Sequence, residues 1–223
     1  MRVLVMDTAT PAVTAALVTV AGDDVALVAT RVTVDARAHA EALAPQIDAV
    51  LDEAGVGVDA LGAVVAGVGP GPYTGLRVGL VTAASLGHAL GVPTYGVCSL
   101  DGIGAATSVP GRLVAATDAR RREIYWRVYE SGAPVTDPAV GQPTAVAEQL
   151  AALGVSHAAG HGATRYAGAL ALPTVDPEYP DPLVLARLAA DRIRTGAPTE
   201  PLTPLYLRHP DATAPGTRKP VLR

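Results

Sequence analysis

Apolar runs and turn clusters alternate along the first half of the chain in a regular order. Residues 3–6 form a short apolar run ending at Asp7-Thr8-Ala9-Thr10-Pro11. Runs at 13–20 and 25–34 read as two more strands around the turn Gly22-Asp23-Asp24. Over 37–54 the period changes: Leu43, Ile47, Val50 and Leu51 fall on one side of a helix that Gly55 closes. A strand at 61–69, a helix over 73–90 and a strand at 94–98 follow. The second half starts again with an apolar strand, 113–117, ending at Asp118. An alternating strand at 123–129, a weaker one within 134–141, a helix over 144–153 and a strand at 156–160 come next. A short helix near 164–170, a short strand at 173–175 and a helix over 182–195 close the pattern.

Each half therefore reads β-β-β-α-β-α-β-α, with an aspartate (Asp7 or Asp118) at the end of its first strand. Two strand-first α/β halves of this kind describe a two-lobed actin-like (ribonuclease-H-like) duplication, a fold that by itself gives no function. The expected lobes are 1–104, carrying the helices 37–54 and 73–90, and 105–209, with an extended proline-rich tail at 210–223. The stretch 78–100 has no charged side chain and is long enough to suggest a membrane span. Gly91-Val92-Pro93 breaks it into helix and strand, so it reads as soluble core.

Residues 67–79 carry the densest signal: Gly-Val-Gly-Pro-Gly-Pro-Tyr-Thr-Gly-Leu-Arg-Val-Gly. Strand, Gly/Pro turn and helix start form the layout that aims free backbone N–H groups at an anion. Within the helix, Gly75, Gly79, Ala83 and Gly87 recur every fourth residue and make a flat stripe of small side chains. A stripe like this admits another backbone closely. Because the stripe and the Leu76/Leu80 side cannot both face one sheet, one of them is expected on the surface. An arginine at Gly79 should then wedge paired helices apart without disturbing the fold.

Composition narrows the chemistry. The chain has 223 residues, 49% hydrophobic and 17% charged, with a formal net charge of −4, so it is no general trap for nucleic acid. Arg120-Arg121-Arg122 is the only tight basic run, and a solvated hairpin end accounts for it at least as well as an RNA contact. Lys219 is the sole lysine, which excludes a P-loop. Cys98 is the sole cysteine and lies in an apolar stretch, which fits a small buried side chain and a reducing cytoplasm.

The residues bear on three site chemistries. His39 has Leu43, not histidine, four positions on, so a helical metal pair is broken there. His157 and His161 have that spacing, but on a strand running into a glycine turn they would sit roughly 13 Å apart. Asp7, Thr8 and Thr10, with Asp118 and Arg120 in the second half, stand where an actin-like ATPase keeps its phosphate loops. Ala9 occupies the place of the usual glycine, so these are candidate remnants of a nucleotide loop, and hydroxyl-capped turns explain them more simply. No Gly-x-Ser-x-Gly elbow for serine hydrolysis occurs.

With these pieces placed, the chain resembles the TsaB (YeaZ) family. The resemblance rests on Val3-Leu4-Val5-Met6-Asp7-Thr8-Ala9-Thr10, on His39-Ala40-Glu41-Ala42-Leu43-Ala44-Pro45, and above all on the block 69–79. Gly96-Val97-Cys98-Ser99-Leu100, Asp118-Ala119-Arg120 and Leu205-Tyr206-Leu207-Arg208 follow in the family's order. Pro72-Tyr73 stands where the family more often shows Ser-Phe. The resemblance implies a cytoplasmic, non-catalytic subunit of the machinery that makes N6-threonylcarbamoyladenosine in tRNA, at position 37. It implies pairing with the catalytic paralogue TsaD, help from the ATPase TsaE, homodimers, and contact with tRNA only through the complex. It also implies an interface on the two first-lobe helices, here Leu43, Ile47, Leu51, Gly75, Leu76, Gly79 and Ala83. No metal or cofactor is assigned to the chain, and ATP or ADP at the contact with TsaD is left open. The alternative is an independent ATP-binding phosphotransferase or ATPase of the same fold.

Overall fold

The computed structural model describes residues 1–208. The first sheet contains β1 (Arg2–Asp7), β2 (Ala12–Ala21), β3 (Asp24–Val34), β4 (Leu61–Gly67) and β5 (Thr94–Val97), in the order β3-β2-β1-β4-β5. β1 pairs antiparallel with β2 and parallel with β4. The second half repeats the plan. β6 (Arg112–Asp118) lies between β7 (Ile124–Glu130) and β10 (Val155–Ala159), with β11 (Thr174–Val175) beyond β10. The weak third strand is split into β8 (Ala133–Pro134) and β9 (Ala139–Gly141), both paired with β7. The fold is the two-lobed α/β duplication that the element order predicts.

Helices α1 (His39–Glu53) and α2 (Tyr73–Leu90) cover one face of the first sheet. Their inward side chains Leu43, Ile47, Val50, Leu76 and Leu80 join Leu4, Met6 and Val64 in one core. In the second lobe α4 (Pro143–Ala152), α5 (His161–Arg165) and α6 (Ala167–Leu170) do the same work, with Val146, Leu150, Ala163 and Leu170 against Val114 and Trp126.

The lobe boundary differs from the expected 104/105 division, because each half gives its last helix to the other. The short α3 (Asp101–Gly104) packs on the second sheet, Leu100 and Ile103 lying with Leu113, Tyr125 and Tyr129. Helix α7 (Pro182–Arg194) returns to the first lobe, where Leu185, Ala186, Ala189 and Ile193 cover Val3, Val5, Val18 and Val65. The reason is burial: the buried central strands of the first sheet expose two apolar faces, and α1 and α2 cover only one. The chain after α7 stays with the first lobe, Thr199 Oγ1 accepting from the Thr94 N–H and Glu200 N–H donating to the Thr94 carbonyl. The expected tail 210–223 lies outside the described residues.

Helix α5 begins at His161, where glycines on both sides predict a turn. Gly162 is there for another reason: a Cβ would meet the Thr117 backbone at 2.6–2.8 Å. The glycine serves the close approach of α5 to β6, and tertiary packing overrides the local preference.

Candidate functional site at the junction of the lobes

The site is built on the end of β1 and the loops that press on it. Asp7 is 1% exposed. Its carboxylate accepts from the Ser99 hydroxyl at 2.5 Å and from the Ala9 N–H at 2.9 Å. Ser99 also accepts the Gly69 N–H at 3.2 Å, so one hydroxyl ties β1 to the glycine turn. Gly67 has no room for a side chain, because a Cβ there would fall on the Asp7 carboxylate. Burial pushes its pKa up to about 6 in spite of the two hydrogen bonds and the attraction of His39.

Thr8 explains the stripe of small residues. Its hydroxyl donates to the Gly75 carbonyl at 2.8 Å and accepts the Gly79 N–H at 3.0 Å, lying across a consecutive i, i+4 pair of α2. Cβ atoms at Gly75 and Gly79 would stand 3.0 Å from the Thr8 carbonyl and 2.5 Å from the Thr8 hydroxyl, and one at Gly87 would collide with Thr94. The stripe therefore brings α2 against its own strand ends.

The residues expected at an interface pack inside the subunit. Leu43, Ile47, Leu51, Leu76 and Ala83 are all buried within the chain, as are Gly75 and Gly79. The expectation that either the stripe or the Leu76/Leu80 side of α2 lies on the surface is not met, because sheet and turn wrap both of those sides of the helix. Its remaining side is exposed and carries Tyr73, Arg77, Val81 and Ala84. Tyr73 stacks on Tyr206 with ring centroids 5.5 Å apart, and Arg77 lies over the Tyr73 ring. These residues, with Leu202 and Pro204, line a shallow groove of about 480 Å³. Aromatic pairing across this spacing has no periodic signal, and sequence reasoning missed it.

The nucleotide-loop candidates separate. Asp7 is sealed away from the junction. The Thr10 hydroxyl accepts from the Ala12 N–H at 3.2 Å, and the Thr10 carbonyl accepts from His39 Nε2 at 2.8 Å. His39, read from sequence only as half of a broken metal pair, thus pins α1 to the β1 turn. Thr8, Thr10, His39, Tyr73 and Gly75 of the first lobe do meet Asp118 and Arg120 of the second around a cavity of about 230 Å³. Asp118 accepts from the Tyr166 hydroxyl and the Arg120 N–H, both at 3.3 Å, and its own N–H donates to His161 Nε2. His161 is buried and stacked on Tyr179, and desolvation lowers its pKa to about 4. Burial pushes the Cys98 thiol up to about 12, far from a thiolate nucleophile. Among the described residues no three histidine, cysteine or acidic side chains gather to hold a metal ion, and no helix is long and apolar enough to cross a membrane.

A stability prediction follows from Asp7. Its folded pKa is raised above the unfolded value of 3.8, so it favours the fold below pH 4, and that contribution is lost as pH rises through about 6. Asp7→Asn should raise unfolding free energy by about 1–2 kcal/mol at pH 7.5, with the gain shrinking towards pH 4. His161 acts in the opposite sense, its contribution being lost as pH falls from 6.5 through about 4. The variant should therefore be more acid-sensitive than the parent. Urea titrations at pH 7.5, 6 and 4.5 measure this, and a pH-independent difference would count against it.

The fold and junction define a two-lobed actin-like protein whose strand-end loop is occupied by its own side chains. The sequence model of the TsaD family, tRNA N6-adenosine threonylcarbamoyltransferase, matches residues 31–184. The structure of YeaZ from Pseudomonas aeruginosa superposes with a TM-score of 0.76 at 29% identity, covering 92% of this chain and 99% of that one. The chain belongs to the TsaB (YeaZ) family, whose Escherichia coli member is named tRNA threonylcarbamoyladenosine biosynthesis protein TsaB. That protein is 32% identical over 138 residues, covering 58% of this chain and 55% of that one. An uncharacterized protein of Mycobacterium leprae is 48% identical over 94% of this chain, which spans 55% of that protein's length.

Proposed function

We propose that this chain is a non-catalytic pairing subunit in the formation of N6-threonylcarbamoyladenosine in tRNA, acting in the cytoplasm beside the catalytic paralogue TsaD with help from the ATPase TsaE. One observation carries the reading: the loop that would cradle a nucleotide is engaged internally. Thr8 is bonded into α2, Asp7 is sealed behind Ser99, and a cavity of about 230 Å³ is left. That volume falls below the roughly 300–1,000 Å³ of small-molecule sites, which disfavours an independent ATPase.

The exposed faces of α1 and α2 supply a surface suited to pairing, either with the paralogue or with a second copy. Val81 and Tyr73 are 58% and 56% exposed, unusually high for large apolar side chains on one helix face. Val81→Asp should leave the melting temperature within about 1 °C, because the side chain touches no core, and weaken pairing at least tenfold, about 1.4 kcal/mol. Copurification and sedimentation with TsaD measure the effect. Unchanged affinity would remove this face from the interface.

A further inference from the structure

The sequence run Arg120-Arg121-Arg122 forms the tip of the β6–β7 hairpin, and its backbone is unusual. The three residues have φ of 64°, 52° and 63°, a left-handed conformation that L-residues disfavour. Glycine or asparagine is the ordinary solution for such a turn, and this chain places glycine at positive φ in many other loops. Keeping arginine at three successive strained positions favours a role for the charge itself.

The tip is also held firmly. Ala119 N–H donates to the Glu123 carbonyl and Glu123 N–H to the Arg120 carbonyl, closing the loop. From the end of the described chain, Arg208 pairs with the Glu123 carboxylate and donates to the Ala119 carbonyl at 3.1 Å. Arg165 joins the cluster through Asp118: its guanidinium lies over the Tyr166 ring, whose hydroxyl bonds the carboxylate that also accepts the Arg120 N–H. Arg120, Arg121, Arg122 and Arg165 are all exposed. In a chain of net charge −4, this is a local reversal of sign.

The geometry points to a direct phosphate-binding contact: the 120–122 hairpin tip, supported by Arg165, grips the RNA backbone of the tRNA while the subunit is seated in its assembly. A row of guanidinium groups on a backbone held in this way suits phosphate oxygens, and it recognises backbone without reading sequence. The inference rests on the pairing role proposed above and gives that role an RNA-facing surface on the second lobe. The acidic remainder of the chain confines the contact to this patch.

The test uses the assembled complex with TsaD and labelled unfractionated bacterial tRNA, across a salt series. Replacing Arg120, Arg121 and Arg122 together by Gln should weaken tRNA binding roughly tenfold at moderate salt. It should also reduce the slope of log Kd against log salt by about 2. The matching Lys triple keeps the charge and should stay within about threefold of the parent. Pairing with TsaD, read by sedimentation, and the melting temperature are expected to hold in both variants. A paired, folded Gln triple that binds tRNA with the parent's affinity and salt slope overturns the proposal and leaves the pairing role standing. Loss of TsaD from the Gln triple would make the tip a protein contact and overturn it too. A parent chain that never pairs would remove the pairing role first, and this contact with it.

Discussion

Gly79→Arg is expected to destabilise the fold severely. Gly79 packs in the middle of α2 against Thr8, where even a Cβ would stand 2.5 Å from the hydroxyl oxygen. The same hydroxyl accepts the Gly79 N–H, so the clash would force apart the contact that ties α2 to β1. The guanidinium would then have to lie in a core lined by Leu76, Leu80 and Ala83 or push the helix off the sheet. Overpacking costs about 1–3 kcal/mol and an uncompensated buried charge several more, so a loss above about 4 kcal/mol is expected. At about 2–4 °C per kcal/mol for a domain of this size, the melting temperature should fall by at least 8 °C. Thermal and urea denaturation of the purified variant measure this. A folded variant of parental stability that merely fails to pair would return the stripe to the surface.

The element order of both lobes was legible because strands and helices of this length declare themselves by period alone. Helix α2 lies at 73–90 as the small-residue spacing and the Gly91 stop predict. What the spacing could not say is what the stripe faces. A row of glycines records that something comes close, and the partner here is a threonine far away in sequence, not a second helix. The same limit hid the Ser99–Asp7 bond and the docking of α7 on the first sheet, since both join residues with no local relation. Asp118 is marked by lobe symmetry and Arg120 by the family block Asp118-Ala119-Arg120, and the structure does bring both to the cavity shared with Thr8 and Thr10. Asp7, identified by the same symmetry, lies behind that cavity. The symmetry of the duplication marks equivalent strand ends, and the packing of each lobe then decides which carboxylate stays accessible.

The largest functional effect is expected from reconstitution. Purified alone, the chain should transfer no threonylcarbamoyl group to tRNA, and ATP with Mg²⁺ should not change that. With a preformed, activated threonylcarbamoyl donor supplied, adding TsaD and TsaE should give full modification, with this chain required in stoichiometric amount. The expectation follows from where the polar groups of the junction are engaged. The Thr8 hydroxyl bridges two backbone groups of α2, the Asp7 carboxylate is buried at 1% exposure, and His39 Nε2 donates to the Thr10 carbonyl. Each is a group that a nucleotide-binding actin-like site would need free for phosphate, metal-bound water or substrate. Freeing Thr8 alone would cost the helix contact that Gly79 exists to permit, so opening the site works against the fold. Transfer of tritiated threonine from that preformed donor into tRNA, with each protein omitted in turn, measures the first claim, and phosphate release by the lone chain measures the second. Threonine incorporation by the lone chain, or metal-dependent hydrolysis faster than about one turnover per minute, would make it an enzyme in its own right. Thr8→Val sharpens the result: it removes both bonds to α2, so it should lower stability by about 1–3 kcal/mol and still give no turnover. A stable Thr8→Val variant that hydrolyses ATP would show that the internal bonds suppress an activity instead of replacing one.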